Sequence, residues 1–181
     1  MKRIALLVLG LMAASSSAFA QSSPEIDKAL LAAPAPQKEG ATVIKWKPDF
    51  TYDTLRKGTN NLVCYDLSGL PGQAAFSIEC TAAANLKRAA QNLKFEALGD
   101  KAKTQAALEE AEKNGTREKP EYGSIWWHAA GDPASPRKHM TIAVPGATSA
   151  SLGGIPDNGK QGGLWLMNAG TSTAHLMVPG M

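Results

Sequence analysis

Residues 61–80 read NLVCYDLSGLPGQAAFSIEC, and the fold turns on how they pair. Two apolar runs of strand formers, 61–66 (NLVCYD) and 75–80 (AFSIEC), flank Ser68-Gly69-Leu70-Pro71-Gly72, which is the composition of a turn. A hairpin centred on Gly72 sets Cys64 opposite Cys80, the only two cysteines of the chain. An even count in register predicts a disulfide, worth about 3 kcal/mol for a loop of this size in the chain-entropy model. The alternative is a pair of buried thiols behaving as small hydrophobes. No C-x-x-C spacing points to a redox-active thiolate.

The disulfide reading depends on compartment, and the start of the sequence supplies one. Residues 1–20 carry Lys2-Arg3, an apolar run from Ile4 to Met12, and small residues ending Ala18-Phe19-Ala20, the order of a cleavable secretory signal. Its apolar stretch of about ten residues is too short to span roughly 30 Å of hydrocarbon at 1.5 Å per residue. Cleavage is expected before Gln21, with a periplasmic or secreted destination where disulfides persist. No transmembrane segment is expected in the mature chain. Without Lys2 and Arg3 the 19 basic residues fall to 17 against 16 acidic ones. A nearly neutral chain gives little long-range attraction to phosphates, which argues against nucleic acid as a partner; the partner itself stays unknown. Residues 21–40, with Pro24, Pro34, Pro36 and several Ala, read as a flexible arm ahead of a single domain over 41–181.

Beyond Cys80 the period changes. Thr81 is placed to cap a helix over 82–98, with Leu86, Ala90, Leu93 and Ala97 on one face and Gly99 at its end. Asp100 caps a second helix over 101–113, closed by Asn114-Gly115. Charge concentrates on this pair, whereas from Met140 onward only Asp157 and Lys160 are charged. The final third is therefore expected to supply the central sheet, with strands at 124–130 (SIWWHAA), 138–144 (KHMTIAV), 163–168 (GLWLMN) and 173–178 (TAHLMV). The fold class expected is α+β: an antiparallel sheet with a helical hairpin packed on one side, one domain and one disulfide.

Strand parity yields one candidate site. If Ile125, Trp127, Met140, Ile142, Val144, Leu176 and Val178 face the core, then His128, His139 and His175 share the opposite face, with Met177 beside them. Imidazoles with a thioether suit copper, and imidazoles with a carboxylate such as Asp132 suit zinc. No H-x-H or H-E-x-x-H spacing accompanies them, so partly exposed histidines without a metal are the simpler reading. Trp126 falls on the histidine side, open to a ligand or covered by the helices.

Enzyme signatures fail individually. Gly170-Thr171-Ser172 imitates a nucleophile elbow, but the nine residues after Ser172 read as a strand, where an elbow needs a helix. Glu109, Glu110 and Glu112 read as a solvated helix face, and Asp49 and Asp53 near Arg56 as a strand-and-turn ion pair.

Leu55-Arg56-Lys57-Gly58-Thr59-Asn60 before Cys64, Gly153-Gly154-Ile155-Pro156, and the ending His175-Leu176-Met177-Val178-Pro179 resemble a group of small secreted bacterial proteins of unknown function. The resemblance spans most of the chain after the signal. It implies that Cys64, Cys80, His139 and His175 occupy family positions, finds no counterpart for His128, and carries no activity. The function expected is that of an exported, non-catalytic binding or structural protein without a cofactor. The alternatives are a copper or zinc binder using His139, His175, Met177 and His128, and an enzyme with a site that leaves no sequence spacing.

Overall fold

The computed structural model describes residues 23–180; the signal-like stretch 1–20 lies outside them. Eight strands form one mixed sheet: β1 Thr42–Trp46, β2 Tyr52–Arg56, β3 Leu62–Asp66, β4 Ser77–Ala82, β5 Ile125–Asp132, β6 Ser135–Ala143, β7 Trp165–Met167 and β8 His175–Pro179. Their spatial order is β2-β1-β3-β4-β5-β6-β8-β7. The helices are α1 Pro24–Ala29, α2 Leu86–Glu96 and α3 Lys101–Lys113.

The hairpin around Gly72 forms with Cys64 directly opposite Cys80, and the two are bonded. Gly72 takes a left-handed φ of 79°, and a Cβ there would lie 2.6 Å from the carbonyl oxygen of Glu96, so the turn nests against the end of α2.

The sheet is not purely antiparallel as expected, because β1 and β3 run parallel. β2 pairs with the outer side of β1, so the chain must cross the start of β1 to reach β3. The stretch 55–60 makes that crossing. The Arg56 guanidinium donates to the carbonyls of Lys38 and Ala41, Asn60 Nδ2 donates to the Gln37 carbonyl, and Gly58 lies against the Gly40 and Thr42 backbone. Arg56 therefore clamps backbone, while the nearby ion pair is Lys47–Asp53 at 3.0 Å.

Each face of the sheet carries its own apolar cluster. On one face α1 and the 3-10 turn Leu30–Ala32 bury Ile26, Ala29 and Leu30 against Val43, Cys64, Ile78 and Cys80. Within the arm expected over residues 21–40, this corrects the flexible reading for 23–33, since Ser23 caps α1, Pro24 opens it and the segment closes the core; residues 21 and 22 lie outside the described residues. On the other face Ala89 and Leu93 of α2 cover Ile44, Val63, Tyr65 and Trp126. α3 buries only Ala111, so the expected helical hairpin does not pack on the sheet as a unit. Thr81 also differs from expectation. It lies inside β4, fully buried, and α2 begins only at Leu86 after the 3-10 turn Ala83–Asn85.

The nearly uncharged final third, from Met140 onward, forms one flank of the sheet rather than its centre. Burial is deepest in β1, β3 and β4, whereas every residue of β8 stays at least partly exposed. Low charge there reflects the glycine-rich loops around 146–163 as well as burial.

Candidate functional site

α2 covers only the first half of its face. Past Trp126 the sheet floor is open, and a cavity of about 250 Å³ forms between β4, β5, β6 and β8 below, and α2 with the segment leading into β5 above. Strand pairing builds the floor. Tyr65, Glu79, His128 and His139 are successive Cα partners across β3, β4, β5 and β6, so their side chains form one row. Two positions along β6 from His139, Thr141 pairs with Met177, and four along, Ala143 pairs with His175. The three histidines and Met177 that parity placed on one face therefore line one cavity.

The row is hydrogen-bonded from Tyr65 to His128 and continues to His139 by ring stacking. Tyr65 Oη donates to Glu79 Oε2 at 3.2 Å, and His128 Nδ1 lies 3.1 Å from Glu79 Oε1. Burial, then the Glu79 charge, pushes the Tyr65 phenol well above its usual range, so it keeps its proton and serves as donor. The His128 and His139 rings stack at 4.5 Å with 9° between their planes. His175 Nδ1 is 2.8 Å from the Thr173 carbonyl oxygen and so carries the proton that bonds to it. Burial, then His128, lowers the pKa of His139; burial lowers that of His175 as well, against the raising effect of its Thr173 bond.

The roof is cationic. Arg88 and Arg117 are 5% and 6% exposed and both line the cavity. Arg88 donates to the Glu118 carbonyl, while Arg117 donates to Gln91 Oε1 and Asn92 Oδ1 and lies over the Phe95 ring. Arg117 Nε is buried without a hydrogen-bond partner. Neither guanidinium makes a salt bridge among the described residues. Burial, then the charge of Arg117, lowers Arg88 to a pKa of about 10.

Asn85 sets this roof over the floor. Fully buried, it donates through Nδ2 to Thr81 Oγ1 on β4 and Ser124 Oγ before β5, and accepts from the Glu121 amide through Oδ1. Asn85→Ala is expected to cost about 2–3 kcal/mol, because it strands a buried amide and opens a cavity. Urea unfolding measures this; a loss below about 0.5 kcal/mol, the scatter of ordinary surface substitutions, would show that the bonds are dispensable.

No known family, curated protein or solved structure matches the chain. Its chemistry rests on the cavity itself.

The stacked histidines bear on the metal expectation. A metal bonds imidazole nitrogen at about 2 Å, in line with the ring's lone pair. Two stacked, nearly parallel rings direct those lone pairs along separate planes. His128 and His139 therefore do not converge on one ion in this arrangement, and no group of three or more His, Cys, Asp or Glu among the described residues is disposed to hold a metal. Asp132, near the β5–β6 turn, accepts from the Ala134 amide and does not line the cavity. Ser172 contacts Glu112 rather than His175: its hydroxyl and amide both donate to that carboxylate, as does the Thr173 hydroxyl at 3.2 Å. Burial tends to raise the Glu112 pKa, but these bonds outweigh it and the net shift is downward. Glu112 thus leaves the solvated-helix reading and anchors α3 to the turn before β8.

Arg88, Arg117, Glu79 and Tyr65 are the site residues that sequence reasoning missed. Glu79 was accessible by parity, since it precedes a core-facing Cys80 on a strand.

Proposed function

We propose that the chain is an exported binding protein whose cavity takes a small anion. The carrying observation is the pair of buried guanidiniums on the cavity wall, neither matched by a carboxylate salt bridge among the described residues. A buried charge without a counter-ion costs several kcal/mol, and two facing one cavity add mutual repulsion. An oxyanion removes both penalties, because its oxygens match the planar donor fork of arginine. Glu112 acts on both guanidiniums, and Glu96 and Glu118 on Arg117, only without a salt bridge, Glu112 being engaged by Ser172 and Thr173; the Glu79 carboxylate is engaged by Tyr65 and His128. A volume of about 250 Å³ suits phosphate, sulfate or a short carboxylate and lies below the roughly 300–1,000 Å³ of drug-sized sites. Export is supported by the signal-like stretch and by the Cys64–Cys80 bond.

Calorimetric titration with inorganic phosphate, sulfate and succinate tests the reading. Saturable binding of at least one is expected, weakened about tenfold or more in Arg88→Gln, the loss of one charge-assisted bond. Arg88→Lys should fall between, keeping the charge and losing the fork. Circular dichroism checks that each variant is folded. Absence of binding by all three anions at millimolar concentration overturns the proposal. Copper or zinc binding that survives in Arg88→Gln and is lost in His139→Ala and Met177→Ala would put the metal reading in its place.

A further inference from the structure

We infer that the cavity takes up its anion together with a proton, held by the stacked pair His128–His139. The inference rests on the anion reading above and adds to it how the site is controlled. His128 and His139 are cross-strand partners whose rings lie 4.5 Å apart, so one positive charge on the pair is tolerable and two repel. Glu79 meets His128 from β4, backed by Tyr65 from β3, and gives the pair a negative neighbour on one side only. The other groups around the pair are cationic or titrate to cations: Arg137 on β6, His175 on β8, Arg88 on α2 and Arg117 before β5. Glu96, at the end of α2, is the remaining acid coupled to Glu79, and burial followed by the Glu79 charge pushes it up to about 7.

In the free protein burial, then His128 and the other cations, resist a proton on His139. An anion between the arginines and the imidazoles replaces that repulsion with attraction, so the proton affinity of the pair rises. Linkage is reciprocal: whatever raises proton affinity on anion binding raises anion affinity on acidification. The pKa of His139 is therefore higher in the complex than in the free protein. Binding therefore tightens as pH falls through the window between the two values and levels off on either side.

Sulfate is the probe, because it stays fully ionised from pH 5.5 to 8. Titrations in two buffers of different ionisation enthalpy should show uptake approaching one proton per sulfate near pH 6.5, with affinity rising up to about tenfold per pH unit of acidification inside the window. The double variant His128→Gln, His139→Gln should bind sulfate at pH 8 and lose both the uptake and the pH slope, whereas His175→Gln should keep most of each. If the double variant does not fold, the single variant His139→Asn should at least halve the uptake. Sulfate binding with no proton uptake and equal affinity at pH 6 and 8 overturns this inference and leaves the anion reading standing. A slope that persists in folded variants lacking the pair also overturns it. No sulfate, phosphate or succinate binding at either pH sinks both.

Discussion

A variant lacking residues 23–33 is expected to lose cooperative unfolding. Ile26 and Leu30 are 7% and 6% exposed, and each gains about 1.5–3 kcal/mol from burial. Removing the segment also uncovers Val43, Ile78 and both cysteines on the face it covers. Together these losses rival the whole stability of a typical domain, about 5–15 kcal/mol. Broad, non-cooperative urea unfolding with dye binding to exposed apolar surface is the expected result. A sharp transition at the wild-type midpoint would show that α1 is an appendage. The graded form is Leu30→Ala, for which about 2–5 kcal/mol is expected.

The same segment shows why composition misled. Pro24, Pro34 and Pro36 with many alanines suggest a tether, yet Ile26, Ala29, Leu30 and Ala33 recur at i, i+3, i+4 and i+7, a helical stripe, and all four are buried. Pro24 sits where proline is tolerated, in the first turn, and the alanines let the segment lie close to the sheet. The Cys64–Cys80 hairpin was legible because turn residues and alternation act locally. The partner of β1 was not, since a strand's pattern records which face is buried and says nothing of which neighbour lies at its edge. α2 shows a related limit. Of its expected stripe, Leu93 is buried and Leu86 and Ala90 pack partly buried against the same cluster, but the buried face is wider than the apolar one, because Ala89 joins it and Arg88 turns inward over the cavity.

The candidate site divides along the same line. A period of two is enough to put His128, His139, His175 and Met177 on one face, and β5, β6 and β8 prove to be neighbours. Nothing local marks Arg88 and Arg117 as a pair. They lie in segments separated by α3 and meet only because Gln91 and Asn92 on α2 receive the Arg117 guanidinium. The cationic half of the cavity is thus a product of tertiary structure, while its imidazole half is a product of strand parity.

Gly58→Ala is the point substitution expected to cost most in the crossing that makes β1 and β3 parallel, about 3 kcal/mol or more. A Cβ at Gly58 would stand 2.2 Å from the Gly40 carbonyl oxygen and 2.4 Å from the Thr42 nitrogen. Both are backbone atoms, so no rotamer change relieves the clash. The backbone at 40–42 can yield only by disturbing Ala41 and Val43, both fully buried. The cost is steric, since Gly58 is not among the glycines of positive φ. Gly69→Ala supplies the contrast: φ there is 73° and nothing stands within 4 Å, so only the left-handed penalty of about 1–2 kcal/mol applies. Urea midpoints of the two variants against wild type should rank Gly58→Ala well below Gly69→Ala. Equal midpoints, or the reverse order, would mean that the crossing does not press on the start of β1. Gly58 lies on the far half of the sheet from the cavity, so a variant that still folds at low temperature should bind anions as the wild type does. Loss of binding in that folded variant would show instead that the two halves of the sheet are coupled.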